Sequence, residues 1–449
     1  MLLISAWWRL LAASIAVAGL WVAVWRVAPS TPLISPAEPS VRVATPRVPV
    51  PVTAAGGLRA IVRSGFPAPG GGRFDRFDVT AQPIAAPVNA RGQVAFYATV
   101  LHAAASEGIF LADAGTITKV AAFGDALPGG GTLSEFAEHP TPALNAAGHV
   151  AFAAQTAGGR GTEGVFLSGA DGLRVIAQAG DDAPGVPAGV LVDFNAPALN
   201  DNDELAFVAT VRRGREMMDV LYFWNGRRLQ RIVAKGERLQ RIGGTMDKIG
   251  EPALNNSGVI VFPAALLKGP VLGGIFVAGT RTLNLLAGAG DRTPSGAMIL
   301  RFSERMAIND EDHIAFGAYV GGDGQQRQAV LGIRPEGLVE IAVAGAAAPG
   351  GGRYVGFGPW PTTEPGGATA FVAALEGTPE PFAAFAGAAG EIRRVAAAGE
   401  MLPQGGRIGR FAPNAVAAAG SGGTLTFVTV AQEPQERNAI YCRCAPPVR

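Results

Sequence analysis

Cysteine is nearly absent. Cys442 and Cys444 are the two in 449 residues, too few for a disulfide framework. Charge of one sign is absent too. A formal net charge of +1 excludes general attraction to nucleic acid or an anionic membrane surface. Only 16% of residues are charged, but 48% are apolar, so this is not the composition of a disordered chain. Histidine is rare, limited to His102, His139, His149 and His313. His149 and His313 fall in the same slot of different repeats and are not expected to converge on one metal. The chain has no P-loop, nucleophile elbow or paired zinc motif, so no common catalytic signature is present.

Turn formers, in contrast, are abundant, with 62 Gly and 33 Pro. They punctuate a unit of the form Asn-x-x-Gly-x-x-Ala-Phe. Copies end at Phe96, Phe152, Phe207, Phe262 and Phe316, and more divergent ones end at Phe371 and Phe427. Successive Phe residues are 54 to 56 positions apart. So even a period marks a repeat architecture. Within each period, four short apolar runs are separated by turn residues, as in an antiparallel blade. The third copy is the clearest: Val190 to Phe194, Glu204 to Val211, Val220 to Trp224 and Leu229 to Ala234, here named strands a to d. Strands apolar on both faces are expected where each sheet lies between two others.

The motif has a local rationale. Asn followed three residues later by Gly suits a type I turn in which the Asn side chain bonds the backbone. Asn89, Gly92, Asn145, Gly148, Asn200, Asn255, Gly258 and Asn309 are accordingly read as structural turn residues. Asp203 and Asp312 replace the Gly, and Asp tolerates positive φ.

The ends of the repeat region complement each other. Leu58 to Arg63 resembles a strand d without a blade, and the last repeat stops after its strand c, Ala439 to Cys444. Joining them closes a ring and removes the exposed sheet edges. The expected fold is all-β, a seven-bladed propeller of four-stranded repeats about 55 residues long, closed by the N-terminal strand.

Ahead of the propeller (54–449), residues 1–27 form a hydrophobic segment. Leu10 to Trp25 carries no charge, and Trp21, Trp25 and Arg26 spoil a signal-peptidase site. One N-terminal helix anchoring the chain in the inner membrane is therefore expected. The alternative is a cleaved signal leaving a secreted or periplasmic protein. Residues 28–53 are Pro-rich and read as a semi-rigid linker.

The repeats resemble those of the bacterial tandem-repeat NxxGxxAF proteins, as in Asn89 to Phe96, Asn145 to Phe152, and Asn255 to Phe262, where Val261 replaces Ala. The resemblance covers about residues 58–445 and implies an exported, variably anchored repeat protein. It brings no catalytic residues with it.

Propeller geometry puts the repetitive a–b turns on one face and the variable b–c loops on the other, with the connections between blades. Binding is expected on the variable face and in the channel mouth. Arg212, Arg213, Arg215, Arg238 and Arg241 belong to a basic stretch and are candidate ligand contacts for an anionic glycan or acidic partner. Asp125, Asp181 and Asp291, with Glu237 and Glu400, follow the Gly that ends each strand d. They could hold Ca²⁺, though bonds to nearby turn amides are the plainer expectation. No other cofactor is expected. His139, Glu138, Glu251 and Glu304, on or near strand a, are the residues that could do chemistry in the channel. The expected function is a monomeric binding or interaction scaffold for a protein or glycan at the cell envelope. The alternative is a carbohydrate-active hydrolase or lyase working in the channel.

Overall fold

A computed structural model describes residues 47–49, 57–79, 82–279, 282–322, 324–402, 407–412, 414–430 and 438–444. The expected anchor (1–27) lies outside the described residues. Of the expected linker, Arg47–Pro49 is described, as a short strand pairing antiparallel with Thr116–Ala122. No helix among the described residues is long and apolar enough to cross a membrane.

The chain forms seven antiparallel sheets, one per repeat. Blade 3 shows the plan. Strand a (Gly189–Phe194) pairs with b (Leu205–Arg213), b with c (Glu216–Trp224), and c with d (Leu229–Ala234). The closing strand behaves as the sequence implies. Leu58–Arg63 pairs antiparallel with Ala439–Arg443 and supplies the seventh blade's strand d. Blade 7 also bonds blade 1 directly, through the Ile84–Ala415 bridge and from Asn414 Nδ2 to the Val79 carbonyl at 2.7 Å.

Burial follows from this packing. Strand b has the same pattern in blades 1, 2, 4 and 6, five consecutive buried residues covering both faces. The motif Phe is the middle ring of a stack through its blade. Phe207 lies between Phe194 of strand a at 6.0 Å and Tyr222 of strand c at 6.2 Å. Phe357, Phe371 and Phe385 repeat the arrangement in blade 6.

Two segments depart from expectation. In blades 3 and 5 the b–c connections, expected among the variable loops, are instead taken up by strands b and c, Leu205–Arg213 with Glu216–Trp224 and Ile314–Gly322 with Gln325–Arg334, which run on as long hairpins. Arg213 pairs with Glu216, which leaves a two-residue turn, and Gly322 pairs with Gln325. Gly214 (φ 63°) supplies the positive φ that the first turn requires.

The motif Asn does more than shape its own turn. In Asn200, Oδ1 accepts the Asn202 and Glu204 amides at 3.0 Å each. Its Nδ2 crosses to the next blade and donates to the Asn255 carbonyl at 3.0 Å. The same link runs from Asn89 to Asn145, Asn145 to Asn200, Asn255 to Asn309, and Asn309 to Glu364. Blades 1 to 6 are thus stapled in sequence. Where the Asn is missing, Thr362 Oγ1 donates instead to the Ala417 carbonyl of blade 7 at 2.7 Å. Asn200→Ala removes the staple and strands two turn amides. The expected destabilisation is about 2 kcal/mol, read from the shift in urea midpoint at unchanged slope.

Candidate functional site

At one end of the ring all seven a–b turns converge on a cavity of about 200 Å³. Here the Asp-rich turn of blade 3 serves the ring. Asp201 Oδ1 accepts the Ala146 amide at 2.7 Å, and Asn256 Nδ2 bridges Asp201 and Asp310 at 2.8 Å each. His149 Nδ1 meets both carboxylate oxygens of Asp203 on the next blade, at 2.8 and 3.0 Å. Polar groups at this end bond one another across blade boundaries.

The acids after strand d also have partners. Asp125, Asp181 and Asp291 accept the backbone amides of Ala122, Gln178 and Gly288 at 2.8, 3.0 and 2.7 Å. Glu237 and Glu400 accept those of Ala234 and Ala397. Asp125 also pairs with Lys119, and Asp181 with Arg160. Each acid thus sits inside its own turn, three residues from its donor. The five arginines are exposed. Arg212 and Arg213 end strand b of blade 3, Arg215 lies in the hairpin turn, and Arg238 and Arg241 lie in the connection to blade 4. Arg213 pairs with Glu216 at 2.8 Å.

A larger cavity, about 470 Å³, opens beside blades 5 and 6. Its wall is strand a of blade 5 (Met298–Ile308), whose Arg301, Ser303, Glu304 and Arg305 face Tyr319, Gln328 and Trp360. Two guanidinium groups back two aromatic rings, Arg301 at 3.6 Å from the Tyr319 centroid and Arg305 at 4.7 Å from that of Trp360. Arg305 also pairs with Glu251 at 3.1 Å. Gln328 fixes the wall by donating to the Tyr319 hydroxyl and accepting the Phe357 amide of blade 6, both at 2.8 Å. Glu251 and Glu304, singled out by sequence, line this cavity. Arg301, Tyr319 and Trp360 were not singled out, because no motif marks an aromatic ring facing a channel.

His139 stands at a second point, with Glu163 of blade 2 and Asp193 of blade 3. Its Nε2 lies 3.6 Å from Glu163 Oε1, within ion-pair range but beyond hydrogen-bond reach, and neither buried atom has a hydrogen-bond partner. Burial pushes the Glu163 carboxyl up, His139 opposes this, and Asp193 and Glu138 add to the rise, to about 7. For His139, burial works against the charged ring, but Glu163, Glu138 and Glu251 outweigh it, so the imidazole is raised above its ordinary value. Glu138 is held by Gln155 Nε2 at 2.9 Å.

Among solved structures, a prolyl endopeptidase is 14% identical with a TM-score of 0.39, and the match covers 77% of this chain. The chain spans less than half of that enzyme, 46% of its length. The β-propeller domain of the Trilobed protease from Pyrococcus furiosus is 10% identical, with a TM-score of 0.33 over 71% of this chain and 97% of that one. A luciferin-regenerating enzyme is 10% identical, with a TM-score of 0.29 over 67% and 89%. Likenesses this distant do not bear on activity. None of the curated proteins matches the chain. A family model does, twice, over residues 101–238 and 217–402, and its description is a family of unknown function, DUF7453.

Proposed function

The chain belongs to DUF7453, a family that carries no assigned activity, and we propose from the channel that it is a glycan-binding propeller held at the cell envelope. The observation that carries this reading is the cavity of about 470 Å³ with Tyr319 and Trp360 in its wall. Its volume is in the range of small-ligand sites. Aromatic rings offer faces to the C–H surface of a sugar, while Glu304, Ser303 and the arginines offer hydrogen bonds to its hydroxyls. The repeats are read as the NxxGxxAF kind, which supports export. Residues 1–27 then serve as the membrane tether and the Pro-rich segment as its spacer.

A glycan array probed with the full chain tests the proposal. Retention of a defined oligosaccharide class is expected, with affinity weakened about tenfold or more in Trp360→Ala. No retained glycan, or equal retention by the variant, contradicts it. A hydrolase or lyase in the same channel is the second reading, favoured by the cluster of His139, Glu163 and Asp193. Cleavage of the retained glycan on incubation would decide for it.

A further inference from the structure

We propose that His139, Glu163 and Asp193 bind one divalent transition-metal ion, with Zn²⁺ the best match, in the channel wall between blades 2 and 3. The three side chains come from the segment after strand a of blade 2, the first residue of its strand c, and strand a of blade 3. Their donor atoms lie within 4.8 Å of one another. Donors arranged tetrahedrally around one Zn²⁺ at about 2.1 Å sit roughly 3.4 Å apart. The 3.6 Å between His139 Nε2 and Glu163 Oε1 is close to that and too long for a hydrogen bond.

Departure from the repeat supplies the second observation. Glu107, Glu163, Asp219 and Gln328 occupy one slot on strand c, each opposite the residue three beyond the motif Phe, and the shorter Asp219 bonds Thr210 of its own blade. Glu107 accepts the Phe136 amide of the next blade at 3.2 Å, and Gln328 accepts that of Phe357 at 2.8 Å. Glu163 makes no such bond. Its side chain is only 10% exposed, and its Oε1 lies 3.6 Å from an imidazole nitrogen that, like it, is buried without a hydrogen bond. Buried polar atoms are rarely left unpaired, least of all on a carboxylate. A cation between them satisfies both.

The donor set selects the metal. One imidazole nitrogen with two carboxylates suits Zn²⁺ and its transition-series neighbours. Ca²⁺ takes six to eight oxygens, and these side chains do not supply them. Asp193 is exposed, so a coordination position can face the channel. The carboxylates of Glu138 and Glu251 add negative field nearby.

The test is a Zn²⁺ titration of untagged full chain after chelator treatment, followed by calorimetry and elemental analysis, with no glycan present. Its outcome is therefore separable from that of the glycan proposal. One Zn²⁺ per chain is expected, with a raised melting temperature. Glu163→Gln and His139→Ala should each weaken binding tenfold or more while keeping the circular dichroism of the wild type. Asp193→Asn, at an exposed position, should weaken it likewise and keeps the test decisive should a buried variant misfold. Failure of the wild type to take up stoichiometric Zn²⁺, a preference for Ca²⁺ over Zn²⁺, or undiminished uptake by Asp193→Asn overturns the proposal.

Discussion

Val62→Asp is expected to destabilise the ring by about 3–5 kcal/mol, a large fraction of the roughly 5–15 kcal/mol that holds a typical native protein together. Val62 is fully buried in the strand that supplies blade 7 with its outer edge. Val62 packs in an apolar cluster opposite Ile440, so the carboxylate would lose its water among apolar side chains. The damage would not stay local. Without Leu58–Arg63, the edge of Ala439–Arg443 is exposed, and blades 7 and 1 lose a shared core that includes Val62, Val428 and Ile440. Urea denaturation followed by tryptophan fluorescence measures the effect. Leu272→Asp, at a residue 82% exposed, is the control and should shift stability by no more than about 0.5 kcal/mol. A Val62→Asp protein that unfolds with the wild-type midpoint would mean that the ring does not depend on this strand.

Phe207→Ala should lose about 3–5 kcal/mol. The side chain is fully buried between Phe194 and Tyr222, so truncation removes both ring contacts and leaves a cavity in the middle of a blade. Blades pack on both faces here. The cavity can collapse only by moving neighbouring sheets, which places the expected loss in the upper part of the range for core deletions. Phe207→Leu refills most of the volume and should recover more than half of the loss. The same urea series measures both. Equal midpoints for Phe207→Ala and wild type would contradict a packing role for the motif Phe.

The blades could be read from the sequence because their rules are local. Alternation, turn chemistry and a steady period all act within a few residues, and the unpaired strands at the two ends declare the closure. Asn200 was legible only in part. Its turn bonds follow from spacing, but its bond to the Asn255 carbonyl joins residues 55 apart and exists only once blades stack. The hairpin at Gly214 was missed because polar, arginine-rich strand ends look like loop. His139 was a candidate from its position near strand a. Glu163 and Asp193 were not, because three separate segments meet there through packing between blades. Arg301, Tyr319 and Trp360 share that difficulty, since facing a channel leaves no periodic mark.

Hydrogen–deuterium exchange of the full chain, with and without the glycan it retains, tests the central claim most directly. The account predicts slowed exchange in residues 301–305 and around Trp360, with Asn200 to Phe207, which does not line that cavity, unchanged. Protection confined to the a–b turns, with none at Met298–Ile308, would contradict it.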